Sequence, residues 1–226
     1  IAADPDYLNC SEHAIKPTLT EPGTPPWFRK VFTVKDAVRK AVLYASARGL
    51  LELYLNGRRV GHDLFVPEWT DYDKRIQYRT YDVTGMVREG KNVLGAVLGD
   101  GWYSGYVGWQ ETRGRYGLKN SLLIQLEITG TDGSTQIVTS DPSWKCAAGP
   151  ILSSDFMMGE LYDARHQLLG WDQPDYDDQA WSAVLPAVPP KAQLAAQRSE
   201  PVQIIETIEP VSVHKSPSGT WIYDLG

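Results

Sequence analysis

Cysteine is scarce in this chain of 226 residues: Cys10 and Cys146 are the only two, and 136 positions separate them. So few cannot build a disulfide framework, and the spacing matches no zinc site. We expect two free thiols, with one long-range bond between them as the alternative. Histidine is sparse as well, and His13, His62, His166 and His214 stand apart from one another and from the cysteines. They suggest neither a metal centre nor a Ser/His/Asp triad. The glycines between 99 and 108 do not follow the strand, GxGxxG, helix order of a phosphate loop. No metal and no cofactor is therefore expected.

Long apolar runs are missing too. Nothing approaches the roughly 20 residues that span a bilayer, and the start IAADPDYLNC has neither a basic nor an apolar signal region, so no membrane partner is expected. Basic runs are equally absent, in a chain with net charge −6 and a pI near 5.2. Its densest basic stretch, Arg48, Arg58, Arg59, Lys74, Arg75 and Arg79, is interrupted by acidic residues and divided between faces by strand alternation. Nucleic acid is excluded as a partner on that ground.

What the chain does have is tryptophan and tyrosine, 8 and 12 against 4 phenylalanines. Rings with a polar handle suit wet boundaries, although a share of them belongs to the core. They sit in a β-rich pattern. FRKVFTV (28–34), KAVLYAS (40–46), LELYL (51–55), RIQYRTYDV (75–83), NVLGAVLG (92–99), SLLIQLEIT (121–129) and STQIVTS (134–140) read as strands. Asn56-Gly57 predicts a type I′ hairpin turn, and VTGMVREG predicts a helical turn capped by Thr84. Short strands with frequent turns and no long helix predict an all-β antiparallel sandwich. We expect a Pro/Gly-rich lead-in over 1–26, the sandwich over 27–185, a linker without periodicity over 186–200, and the start of a second β domain over 201–226.

Aromatic faces beside carboxylates are the pairing that pyranoses need, which makes carbohydrate the leading ligand class. Trp69 and Asp71 share a strand face; the competing reading is a turn-capping Asp and a Trp closing the sandwich. Asp100, Trp102, Tyr103, Tyr106 and Trp109 form the densest aromatic run, a candidate sugar or interdomain surface or, alternatively, a small core beneath a loop. Glu160, Asp163 and Arg165 suggest a structural ion pair first and a docking role second. Asp172, Asp175, Asp177 and Asp178 lack EF-hand spacing and read as turn formers.

ARGLLELYLNGRRVG (47–61), WTDYDKRIQYRTYDVT (69–84), LGDGWYSGYVGW (98–109), GELYDAR (159–165) and GWDQPDYDDQAW (170–181), with the tail TWIYDLG (220–226), resemble the N-terminal region of bacterial α-L-rhamnosidases. The resemblance implies a jelly-roll, galactose-binding-like sandwich. It also implies a parent glycosidase that removes terminal α-L-rhamnose from rhamnose-containing glycosides, with inversion, in a separate catalytic (α/α) barrel of the same polypeptide. The acidic pair belongs to that barrel, so this chain alone is expected to be catalytically silent and to serve as an accessory domain. A free-standing lectin-like module is the alternative. Where some relatives place an acidic and amide pair that binds calcium ahead of the YLNG hairpin, this chain has Ala47-Arg48-Gly49, which argues against calcium-dependent sugar binding.

Overall fold

A computed structural model describes residues 5–10, 18, 21–109 and 112–226. Positions 1–4, 11–17 and 19–20 of the expected lead-in, and His13 with them, lie outside the described residues. In chain order the first strands are β1 (Leu8–Cys10), β2 (Pro26–Val34), β3 (Val38–Arg48), β4 (Leu50–Leu55), β5 (Arg58–Arg59), β6 (Arg75–Asp82) and β7 (Gly90–Gly99). One helical turn, α1 (Gly101–Ser104), leads to β8 (Ser121–Gly130), β9 (Thr135–Thr139), β10 (Lys145–Ala148), β11 (Ile151–Asp155) and β12 (Gly159–Tyr162). The chain ends with β13 (Ser182–Pro186), β14 (Gln193–Ala196), β15 (Ser212–Lys215) and β16 (Trp221–Asp224).

Period-two burial makes the sandwich. Ala41, Leu43, Ala45 and Ala47 of β3 and Leu122, Ile124, Leu126 and Ile128 of β8 line one inner face. Phe28, Phe32 and Val34 of β2, Leu51, Leu53 and Leu55 of β4, and Leu94, Ala96 and Leu98 of β7 belong to the same core cluster and line the other. The strand order β14-β6-β3-β8-β1-β13-β10-β2-β7-β4-β5 runs continuously from one layer into the other. The hinge of that fold is β13, which pairs antiparallel with β1 on one side and with β10 on the other.

This hinge corrects the expectation of free thiols. Cys10 lies opposite Val184, and Cys146 lies opposite Ser182 two residues away on the same strand. Because β13 curls from one layer to the next, its two neighbours face each other, and the cysteines, 5.7 Å apart at Cα, form a disulfide within the core.

The Asn56-Gly57 turn forms as expected, with φ of 52° and 81°, in the left-handed region that a type I′ turn requires. Three local readings are revised. Thr84 does not cap the turn after β6: Asp82 accepts from the Thr84 N–H, while the Thr84 hydroxyl accepts from the Ala41 N–H of β3. The lead-in contributes β1 to the sandwich. Within 186–200, β14 pairs in parallel with β6, from Gln193 opposite Arg75 to Ala196 opposite Tyr78. Beyond it, the exposed chain is tied down by a Leu64–Val202 bridge and by Gln203 donating to Asp63.

Candidate functional site

β7 ends at Gly99, and α1 divides the aromatic run that follows. Consecutive residues of a helical turn point about 100° apart, so Trp102 and Tyr103 leave in different directions. Trp102, half-buried against the cluster of Tyr72 and Ile76, lies parallel to exposed Trp69, with centroids 6.3 Å apart and planes 5° apart. Phe156 at 4.3 Å and Phe65 at 6.5 Å complete the group around it. Trp69 is 50% exposed, and Phe65, Phe156, Met157 and Met158 are exposed with it. Tyr103 instead goes inward, edge-on to Tyr72 at 5.3 Å. Trp109 stands fully exposed, and Tyr106 donates its backbone N–H to Asp155.

Sequence reasoning found two members of the rim and missed Phe65 and Phe156, which arrive from separate loops. Buried Asp155 places Phe156 by accepting from the N–H groups of Met157 and Met158, which folds the turn between β11 and β12. Phe65 has φ of 58° and Glu68 of 69°, left-handed values costing about 1–2 kcal/mol each in a non-glycine residue. Such conformations persist where surrounding structure over-determines them, and functional surfaces are enriched in them.

The carboxylates around the rim are engaged. Asp71 pairs with Lys74 at 2.8 Å and accepts from the Asp73 N–H, so it closes its own turn rather than sharing a free face with Trp69. Hydrogen bonding from Lys74 holds its pKa below the ordinary value. Asp163 takes a two-pronged contact from Arg165, which holds its carboxyl well below the usual range, and also caps the short turn Ala164–His166. Glu160 projects from β12 as an exposed residue.

Asp100 is buried and paired with buried Arg113, whose guanidinium also donates to the carbonyls of Thr18 and Glu21. Burial pushes the Asp100 carboxyl up to about 7 against the pull of Arg113, and the nearby Asp155 charge adds to the rise. A raised folded-state pKa contributes stability that is fully present below the unfolded value of 3.8 and is lost as pH climbs through about 7. Stability should therefore decline between those limits, and Asp100→Asn should flatten that slope in urea titrations at stepped pH. An unchanged slope would remove Asp100 as its source. The Ala47-Arg48-Gly49 corner is filled by Arg48, which donates to Ser121 and lies over the Tyr7 ring at 5.0 Å.

Residues 36–206 match the family model described as the alpha-L-rhamnosidase N-terminal domain. An α-L-rhamnosidase of Streptomyces avermitilis is 47% identical over 192 residues, which is 84% of this chain and 18% of that protein. A structure of a Streptomyces avermitilis α-L-rhamnosidase complexed with L-rhamnose, 44% identical, superposes with a TM-score of 0.85, covering 89% of this chain and 20% of that one. The native α-L-rhamnosidase of Aspergillus terreus, 35% identical, superposes with a TM-score of 0.91, covering 98% of this chain and 26% of that one. The chain thus spans only a minor part of the relatives it matches. With the family model matched over most of its length and a relative 47% identical, this chain belongs to the N-terminal domain family of α-L-rhamnosidases.

Proposed function

We propose that the chain is a non-catalytic accessory domain of an α-L-rhamnosidase, and that its Trp69–Trp102 rim is the surface it presents to the rest of that enzyme. The observation that carries this reading is the group of exposed Trp69, Phe65 and Phe156 around half-buried Trp102. A glycosidase acid needs a raised pKa and access to the glycosidic oxygen, while its partner carboxylate must be free to act on the other sugar face. Asp71 and Asp163 are tied into ion pairs, and Asp100 is buried against Arg113. None of the three combines the required acidity with access.

The C-terminal hairpin fits an accessory role in a larger protein. Val213 of β15 and Trp221, Ile222 and Tyr223 of β16 are all exposed, and two strands alone cannot bury such a surface. We assign this hairpin to a second β unit that starts near residue 201.

Covering one rim ring would contribute about 1.5–3 kcal/mol, enough to hold an interface in register. In a full-length enzyme, Trp102→Ala should raise KM for bulky rhamnosides or loosen the docking seen by limited proteolysis, while the isolated chain keeps its melting temperature. The chain alone should not turn over an aryl α-L-rhamnoside above buffer. A loss of several kcal/mol in the isolated chain would make Trp102 a core residue and end the docking reading.

A further inference from the structure

A second aromatic site lies on the outer face of the other sheet and shares no residue with the rim. Alternation turns Trp27 of β2, Gly95 and Val97 of β7, and Glu52 and Tyr54 of β4 away from the core. The chain around residues 167–172 folds back across them. Gly95 is what lets Trp171 lie against β7, because a Cβ there would stand 2.5 Å from its ring. Trp171 then meets Trp27 edge-on at 4.7 Å and Tyr54 at 5.4 Å.

These rings border an open cleft of about 360 Å³, lined also by Val97, Glu52 and Asp172. That volume lies within the range of small-ligand sites. Its chemistry is mixed in a particular way. Rings and aliphatic groups supply apolar surface, while Glu52 and Asp172 supply acceptors, and no lysine or arginine is among the described lining residues. The Tyr54 hydroxyl donates to one Glu52 oxygen at 2.9 Å and Arg59 to the other at 3.4 Å, which orients that carboxylate, and each oxygen keeps a second lone pair to accept with. Burial, with Glu52 beside it, pushes the Tyr54 hydroxyl up to about 12, so it remains a donor at neutral pH.

We propose that this cleft binds a neutral pyranose, with the C–H face of the sugar against the half-buried Trp27 and Tyr54 rings, which buried Trp171 braces from beneath, and its hydroxyls donating to Glu52 and Asp172. Arg59 offsets the Glu52 charge from 3.4 Å away, which leaves Asp172 as the group that disfavours a uronate or a sulfated sugar. The inference stands independently of whether the Trp69–Trp102 rim docks another domain.

The test is titration of the 226-residue chain with methyl α-L-rhamnopyranoside, methyl β-D-galactopyranoside and D-glucuronate, followed by tryptophan fluorescence and calorimetry. Saturable binding of at least one neutral glycoside is expected, with glucuronate weaker. Glu52→Gln and Tyr54→Phe should each weaken that binding about tenfold while circular dichroism stays unchanged. The proposal is overturned if no neutral glycoside saturates, if glucuronate binds best, or if both variants bind as the parent does. Binding weakened by Trp102→Ala but not by Glu52→Gln would move the sugar to the rim and overturn the cleft assignment, without touching the docking reading.

Discussion

Replacing Arg29 by methionine is expected to lower the unfolding free energy by about 3–5 kcal/mol, the range for removing one partner of a buried ion pair. Arg29 projects from the outer face of β2 yet is only 1% exposed, because the chain from Trp171 to Asp178 lies over it. Its guanidinium donates to the carbonyls of Trp171 and Gln173, pairs with Asp178, and packs under the Tyr176 ring at 5.4 Å. Methionine fills much of the volume but leaves both carbonyls without their donor and Asp178 with Lys145 alone. Urea unfolding read by near-ultraviolet circular dichroism would show the loss, together with a weaker tryptophan signal as Trp171 and Trp181, stacked 6.2 Å apart, lose their support. A change below about 1 kcal/mol would place this pair with ordinary solvated ones.

Reducing the disulfide should have an effect of similar size. Closing a loop across 136 positions restricts the unfolded chain by about 5 kcal/mol in the chain-entropy relation, and measured bonds commonly deliver about 2–4. We expect the double substitution Cys10→Ser, Cys146→Ser to shift the urea midpoint downward with the slope altered by a more expanded unfolded state. The unreduced, denatured protein should show no reactive thiol. Two thiols titrating under those conditions would contradict the bond.

The layered strands were legible because alternation is a local property. Ala41, Leu43, Ala45 and Ala47 declare their face within one strand, and Asn56-Gly57 declares its turn within two residues. Features that depend on the path of the chain were not. The sulfur pairing follows from the curl of β13, which no spacing between Cys10 and Cys146 encodes. QLAA at 193–196 has no strand period of its own and becomes β14 only because the β6 edge offers a ladder. The LGDGWYSGYVGW run announced aromatic density but not its division, since one turn of helix sends Trp102 toward Trp69 and Tyr103 inward. Arg29 lies in FRKVFTV, which reads as a strand, and nothing near it in sequence marks the distant segment from Trp171 to Asp178 that covers it. Phe65 and Phe156 carry no common sequence signal, being joined to Trp102 only through loops.

The parallel strand β14 changes which backbone the sheet shows at its β6 end. β6 would otherwise present unpaired N–H and C=O groups from Arg75 to Tyr78, an invitation to a strand of a second molecule. The chain fills that invitation with its own later residues, Gln193–Ala196, in the orientation opposite to most of its own ladders. The sheet then ends not on the eight residues of β6 but on a four-residue strand, and so short an edge is a poor template for sheet growth between molecules.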